Sequence, residues 1–267
     1  MASSRRRLLV LALMLASVAG AAADRAPVPA KPVPAQPAPP KPAAAPKSAR
    51  PKPPCTGCTL EVHGDPAAPM PLLVVLHGDR ERASMAAGRW RAAARQRGWA
   101  LLSLQCPADE QCRARSWWQW NGDPQWVRAR IAEVAAQVPI DRERTYLAGW
   151  SGGATYLGLR APAWHDTFAA VVIHGGGMAP REDPPACPAR ALPAYFLVGD
   201  GNPLHSLARD LRDYFVRCKQ DVQWDLLPGA DHAKEDRALD AKRALAVLDW
   251  LAARARATRH TTSPGRH

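Results

Sequence analysis

A serine flanked by glycines is the residue of this chain best suited to nucleophilic chemistry. Ser151 stands at the centre of GWSGG, residues 149–153, directly after the short apolar run Thr145–Ala148. The run predicts a strand and the residues after Ser151 predict a helix, and a serine on a sharp strand-to-helix turn projects its hydroxyl above a sheet. The pattern is short enough to occur by chance, so other segments of the chain must support it.

A serine hydroxyl is a poor nucleophile near neutral pH, so a base must take its proton. His232 ends the stretch PGADH, residues 228–232, after the last predicted strand. Asp200 is the only carboxylate in FLVGDGNPLH, residues 196–205, after the penultimate predicted strand. Because serine, acid and histidine follow one another in an order known to converge in space, the sequence predicts His232 as general base and Asp200 as its orienting acid.

Two backbone N–H groups are candidates for binding the oxyanion of a tetrahedral intermediate, which needs donors about 3 Å away. One belongs to Gly152, directly after the serine. The other lies in LHGDRE, residues 76–81, after the first long predicted strand, where we favour the N–H of Asp79 and keep Arg80 as the alternative.

The elements that must position these residues alternate along the chain. Apolar runs without alternation indicate strands covered on both faces, and strand–helix repetition indicates a parallel, doubly wound sheet. The carboxyl ends of such strands carry the functional groups. The predicted strands are Pro71–His77, Trp99–Leu104, Thr145–Ala148, Ala169–Ile173, Tyr195–Val198 and Val222–Leu227, and the predicted helices are Ser84–Gln96, Pro124–Gln137, the segment after Ser151, Leu204–Cys218 and Lys234–Ala255.

With LHG, GWSGG and PGADH in this order, the chain resembles the α/β-hydrolase superfamily over most of residues 60–255. It is similar to small extracellular esterases that include polyhydroxybutyrate-depolymerase-like, feruloyl-esterase-like and carboxylesterase proteins. The resemblance implies an α/β-hydrolase fold and hydrolysis of carboxylic esters. The chain has no long insertion between Val171 and Tyr195, so we expect no large lid domain, and we expect no cofactor.

The acid departs from the family's pattern. Family members often carry it three residues after the glycine that follows the penultimate strand, and here Asn202 occupies that place. Either the loop lets Asp200 reach His232, as we favour, or Asn202 orients the histidine as a neutral substitute. A neutral group would stabilise the imidazolium less well.

Two features bear on the substrate. Trp117, Trp118 and Trp120 lie in the long loop after the second predicted strand, where they either line a binding cleft or cover the sheet edge as core. The only candidate cap is the short segment 175–193. An open site favours a bulky or polymeric ester.

The ends of the chain predict an exported protein. Residues 1–23 have a cationic start, an apolar run and small residues at the end, which is typical of a signal peptide. Residues 24–54 are a tether rich in Pro, Ala and Lys, residues 55–257 form the catalytic domain, and residues 258–267 form a disordered tail. We therefore expect a periplasmic or secreted location.

Six cysteines in an exported chain indicate disulfides. Cys106 and Cys112 flank one loop, Cys187 and Cys218 flank a predicted strand–helix unit, and the remaining Cys55 and Cys58 form a CxxC that we interpret as a structural clip rather than a redox pair or half a metal site.

The formal net charge is +12, and the tether contributes lysines and arginines. No nucleic-acid-binding motif accompanies this charge, so we expect contact with an anionic envelope rather than with nucleic acid. The scattered histidines match no zinc spacing, and no dinucleotide or phosphate-binding fingerprint is present.

Two alternatives remain open: a peptidase or other acyl hydrolase on the same scaffold, and a weakly active or inactive envelope-binding protein with an incomplete triad. The sequence does not indicate an oligomeric state.

Overall fold

The computed structural model describes residues 51–256. The predicted signal peptide, all but the last four residues of the predicted tether, and the predicted tail lie outside the described residues. Our expectations for those segments stay predictions.

In this described part of the chain, seven strands form one sheet in the order β1-β3-β2-β4-β5-β6-β7. The pairing of β1 with β3 is antiparallel, and the pairings among the other strands are parallel. The strands are β1 (Thr59–Val62), β2 (Met70–Leu76), β3 (Ala100–Leu104), β4 (Ile140–Trp150), β5 (Ala170–His174), β6 (Ala194–Gly199) and β7 (Val222–Leu227). The predicted doubly wound, mostly parallel sheet is confirmed.

Within residues 51–256, six α-helices connect and flank the strands. They are α1 (Ala83–Arg97), α2 (Gln125–Ala135), α3 (Gly152–Leu159), α4 (His205–Arg217), α5 (His232–Ala238) and α6 (Ala241–Ala252). The prediction of one helix over Lys234–Ala255 is wrong, because α5 ends at Ala238 and Asp240 caps a new helix by accepting the N–H of Arg243 at 2.8 Å.

Side chains of the central strands are buried on both faces of the sheet. Along β2, Leu72, Val74 and Leu76 belong to one core cluster, while Leu73 and Val75 belong to the other. Helices α1 and α6 cover the second cluster through residues such as Trp90 and Leu248. Coverage on both faces explains why these strands read as continuous apolar runs.

All six cysteines are paired in the structure, Cys55 with Cys58, Cys106 with Cys112, and Cys187 with Cys218. None of the helices formed within residues 51–256 has the length and apolarity needed to cross a bilayer.

Candidate active site

Ser151 lies on a strained turn between β4 and α3. Its φ is +51°, which a residue with a side chain rarely adopts. The turn is possible because its neighbours lack a Cβ: one on Gly149 would lie 2.6 Å from the N of Ala154, and one on Gly153 would lie 2.5 Å from the O of Leu76. The two glycines thus let the chain reverse closely enough to present the serine at the carboxyl edge of the sheet.

His232 is the first residue of α5 and reaches the serine from the other side. Its Nε2 lies 3.0 Å from Ser151 Oγ, which is hydrogen-bonding distance. The imidazole also stacks on the indole of Trp150, with ring centroids 4.5 Å apart and planes 6° from parallel. The structure therefore brings together the predicted nucleophile and the predicted base.

Asp200 does not perform the role that we expected for it. It is exposed in the turn after β6, and its Oδ1 accepts the backbone N–H of Gly229 at 2.5 Å instead of a proton from His232. Because it lies directly after the strand, its side chain reaches the loop that precedes α5 and not the imidazole. The prediction that Asp200 orients His232 is corrected accordingly.

Two other side chains approach Nδ1 of His232. Asn202 Nδ2 lies 3.1 Å from it, and Glu235 Oε2 lies 3.2 Å from it. Both side chains are buried, with residue exposures of 5% for Asn202 and 1% for Glu235. Sequence reasoning missed Glu235, because we sought the acid only after the penultimate strand. The available signal was its spacing of three residues from His232, which places both on one helix face.

The loop predicted to supply an oxyanion donor lies against the start of α3. A Cβ on Gly152 would lie 2.1 Å from Asp79 Oδ1, so these two residues are in close contact. The N–H of Arg80 donates to the O of Arg115 at 3.2 Å, which leaves Asp79 as the better candidate of the two. The N–H of Gly152, in the first turn of its helix, has no intrahelical acceptor.

The oxyanion loop, residues 76–81, is stabilised by hydrogen bonds of its buried histidine, His77. His77 Nδ1 contacts the O of Gly78 at 2.7 Å, and its Nε2 accepts the N–H of Cys106 at 3.1 Å. Burial lowers the pKa of His77, which keeps the ring neutral and able to both donate and accept. Glu81 adds to this bracing, since its Oε2 accepts the N–H of Gly78 at 3.0 Å.

A cleft of about 720 Å³ opens above the serine. Ser151, His232 and Asp79 line it together with Trp118, which is 38% exposed. Trp117 and Trp120 are instead packed against Tyr156 in the core, at centroid distances of 5.5 and 5.4 Å. Of the three tryptophans expected to line a cleft or to form core, one lines the cleft and two form core.

A partly buried ion network lies beside the cleft. Arg89 donates to Glu81 Oε1 and to Asp236 Oδ1, each at 2.6 Å, and its guanidinium lies 5.1 Å from the Trp150 ring centroid. This network connects the oxyanion loop, α1 and α5. No cluster of His, Cys, Asp and Glu within residues 51–256 has the arrangement of a metal site.

A family model described as "Esterase PHB depolymerase" matches residues 60–189. No curated protein sequence matches this chain. Among solved structures, a thermostable esterase shares 20% identity at a TM-score of 0.59, with 74% of this chain and 59% of that chain covered. This chain therefore spans about three fifths of that esterase.

Two further solved structures cover most of their own length. The Bacillus cereus carboxylesterase matches at 15% identity and a TM-score of 0.51, covering 70% of this chain and 93% of that chain. The Staphylococcus aureus fluorophosphonate-binding serine hydrolase F matches at 15% identity and a TM-score of 0.51, covering 73% and 91%. Likeness at these identities establishes a shared fold.

Proposed function

We propose that the chain is a carboxylic ester hydrolase, with Ser151 as its nucleophile and His232 as its general base. The observation that carries the proposal is the 3.0 Å contact between Ser151 Oγ and His232 Nε2, made by a serine held on a strained strand-to-helix turn. The two residues are 81 positions apart in the sequence, so the fold, and not the local sequence, brings them into contact.

The proposed reaction has two halves. Ser151 Oγ attacks the ester carbonyl while His232 Nε2 takes its proton, and the backbone N–H groups of Asp79 and Gly152 stabilise the oxyanion. The imidazolium then gives the proton to the leaving alcohol, and an acyl-enzyme remains on the serine. Water, activated by the same histidine, releases the acid and restores the free hydroxyl.

The cleft favours an ester with a large or extended acyl or alcohol part. It is open to solvent above the serine, and Trp118 offers an exposed indole at its wall. The description of the matching family model names polyhydroxybutyrate depolymerase, and a polyester chain is compatible with a cleft of this kind. Our proposed substrate class is therefore bulky or polymeric carboxylic esters.

We also propose that the protein works outside the cytoplasm. Three disulfides within the described residues support this location, because such bonds persist in oxidising compartments. Electrostatic contact between the basic upstream segment and an anionic envelope belongs to the same proposal.

Hydrolysis of p-nitrophenyl butyrate by the purified protein tests the assignment. We expect turnover and covalent labelling by a fluorophosphonate, both lost in Ser151→Ala. Ser206→Ala is the matched control, because this serine is exposed on α4, on a different helix from either proposed catalytic residue. A folded protein that neither turns over ester nor reacts with the probe would support the non-catalytic envelope protein instead.

A panel of short acyl esters, feruloyl esters and polyhydroxyalkanoate film then tests the substrate class. Hydrolysis of the short esters only, with no release of product from the film or the feruloyl esters, would contradict a preference for bulky or polymeric substrates.

A further inference from the structure

We propose that Glu235 supplies the carboxylate that orients His232, and that Asn202 holds this carboxylate in place instead of replacing it. This inference rests on the proposed function, since it concerns how the same base is positioned. It assigns the acid to the helix that carries the histidine, three residues downstream of it, and not to the loop after β6.

The first step is the protonation pattern of His232. To take the proton of Ser151, Nε2 must be free to accept, so the neutral imidazole carries its hydrogen on Nδ1. That hydrogen needs an acceptor. The candidates on the described residues are the two groups within 3.2 Å of Nδ1, the amide of Asn202 and the carboxylate of Glu235.

The second step is the orientation of the Asn202 amide. Its Oδ1 accepts the backbone N–H of Leu204 at 2.9 Å, while its Nδ2 donates to Glu235 Oε2 at 2.5 Å and lies 3.4 Å from the O of Gly175. In the flipped orientation, the amide oxygen would face the Glu235 carboxylate and the NH₂ would face the N–H of Leu204, so neither pair could form a hydrogen bond. The hydrogen-bond network therefore fixes Nδ2, a donor, towards His232.

Glu235 is the remaining acceptor for the Nδ1 hydrogen. A donor on Asn202 cannot accept the Nδ1 hydrogen, so Glu235 Oε2 is left as its acceptor. The 3.1 Å approach of Asn202 Nδ2 to the imidazole is then a consequence of both groups donating to one carboxylate oxygen. Asn202 thus occupies the place where the resemblance expects the acid and carries out a different task there.

The surroundings of Glu235 are those that a buried carboxylate requires. Its Oε1 accepts the backbone N–H of Gly199, and its Oε2 faces both the amide of Asn202 and the imidazole of His232. Burial of a charged group is costly unless such donors satisfy it. Arg89 of the neighbouring ion network donates to Glu81 and Asp236. The donors to Glu235 are the N–H of Gly199, the amide of Asn202 and the imidazole of His232.

The backbone of α5 is also held in register with the site. His174, at the end of β5, contacts the O of Glu235 through Nε2 at 2.9 Å. This second contact fixes the residue at both its main chain and its side chain. Glu235 therefore lies at the centre of a buried network that includes β5, β6 and the loop that follows β6.

The decisive variants exchange the acid between the two positions. We expect Glu235→Gln to lower kcat by about 10² to 10⁴ with little change in KM, as removal of an orienting carboxylate does in serine hydrolases. The double variant Glu235→Gln with Asn202→Asp restores a carboxylate at the family's position, and we expect it to recover at least about tenfold of the lost kcat. A merely structural role for Glu235 would not be rescued by an acid on another segment.

Two controls separate the alternatives. We expect Asn202→Ala to retain kcat within about tenfold and Asp200→Asn, which keeps its acceptor for Gly229, to retain it within about threefold. Thermal melts of all variants report folding. A folded Glu235→Gln protein with wild-type kcat overturns the inference, as does a loss in Asn202→Ala as large as that expected for Glu235→Gln.

A spectroscopic measurement keeps this inference separate from the proposed function. A proton on Nδ1 that is hydrogen-bonded to a carboxylate gives a downfield proton resonance in NMR spectra. We expect that resonance in the wild type and in Ser151→Ala and its loss in Glu235→Gln. An inactive wild type that shows this pattern would contradict the esterase proposal and support the role of Glu235, whereas persistence of the resonance in Glu235→Gln would overturn the inference.

Discussion

At the scale of single residues, Trp150, the residue before the proposed nucleophile, contacts several parts of the site. The indole of Trp150 stacks against the imidazole of His232 on one side and lies beside the guanidinium of Arg89. It also closely approaches the oxyanion loop, since a Cβ on Gly78 would lie 2.6 Å from Trp150 Cδ1. The π face of an indole attracts a cation, so this ring holds the Arg89 guanidinium on its face and positions the imidazole of His232 by stacking.

Replacement of Trp150 tests this arrangement. We expect Trp150→Leu to lower kcat/KM for p-nitrophenyl butyrate about threefold to tenfold, because a stacked aromatic pair contributes roughly 0.5–1.5 kcal/mol. Trp150→Phe keeps an aromatic face and is the matched control, with an expected loss smaller than that of the leucine variant. Equal losses in the two variants would show that the aromatic face does not matter.

The residue scale also shows what a sequence can and cannot predict about this site. The meeting of Ser151 and His232 could be predicted because their signals lie within short segments at strand ends. The proposed role of Glu235 could not, because histidine and glutamate three residues apart are common in helices, and only the convergence of Gly199, Asn202 and His232 on Glu235 makes this pair distinctive. Likewise, the sequence does not show that Trp117 is buried while the adjacent Trp118 is exposed.

At the scale of elements, the short helix α5 carries both His232 and Glu235. It has seven residues and begins with the proposed base. Asp231 precedes it and accepts the N–H of Lys234 at 2.8 Å, which caps the helix. So short a helix is stable only with such support, and its cap therefore concerns activity as well as folding.

Two capping aspartates allow a matched comparison. Asp231→Ala and Asp240→Ala each remove one N-cap, and we expect each to lower the free energy of unfolding by about 1 kcal/mol. Only Asp231→Ala should also lower kcat several-fold, because α5 carries His232 and α6 does not. Urea unfolding and ester hydrolysis measure the two effects, and an equal loss of kcat in both variants would contradict this assignment.

The errors in the element prediction have local causes. β1 was not predicted because it is a four-residue edge strand in which only Leu60 is buried, so it lacks the apolar run that marks the central strands. The break between α5 and α6 was missed because apolar and charged residues continue through it, and the cap at Asp240 ends one helix and starts the next. The central strands were predictable because strands that are buried on both faces consist of continuous apolar runs.

At the scale of the whole molecule, histidines that are buried in the neutral form make the free energy of unfolding depend on pH. Burial lowers the pKa of His174 to about 3 from its ordinary value of 6.5. Between these values the unfolded chain binds a proton that the folded protein does not. Stability contributed in this way is complete above the unfolded value and decreases as the pH falls.

We therefore expect the free energy of unfolding to fall by about 2 kcal/mol between pH 7 and pH 5 from His174 alone, at roughly 1.4 kcal/mol for each pH unit below 6.5. Urea unfolding at both pH values measures it. The control is His174→Asn, in which the decrease should be smaller by that amount, whatever the variant's absolute stability. The same decrease in both proteins would mean that other groups account for it.

Both ends of the folded domain leave it on the side remote from the nucleophile. The main chain of Lys52 pairs with the side chain of Gln137, which precedes β4, and the N–H of Arg256 donates to the O of Glu143, near the beginning of the same strand. The serine follows the opposite end of that strand. A molecule held at residue 51 or at residue 256 would thus present its cleft on the opposite side, where insoluble material could reach it as readily as dissolved esters.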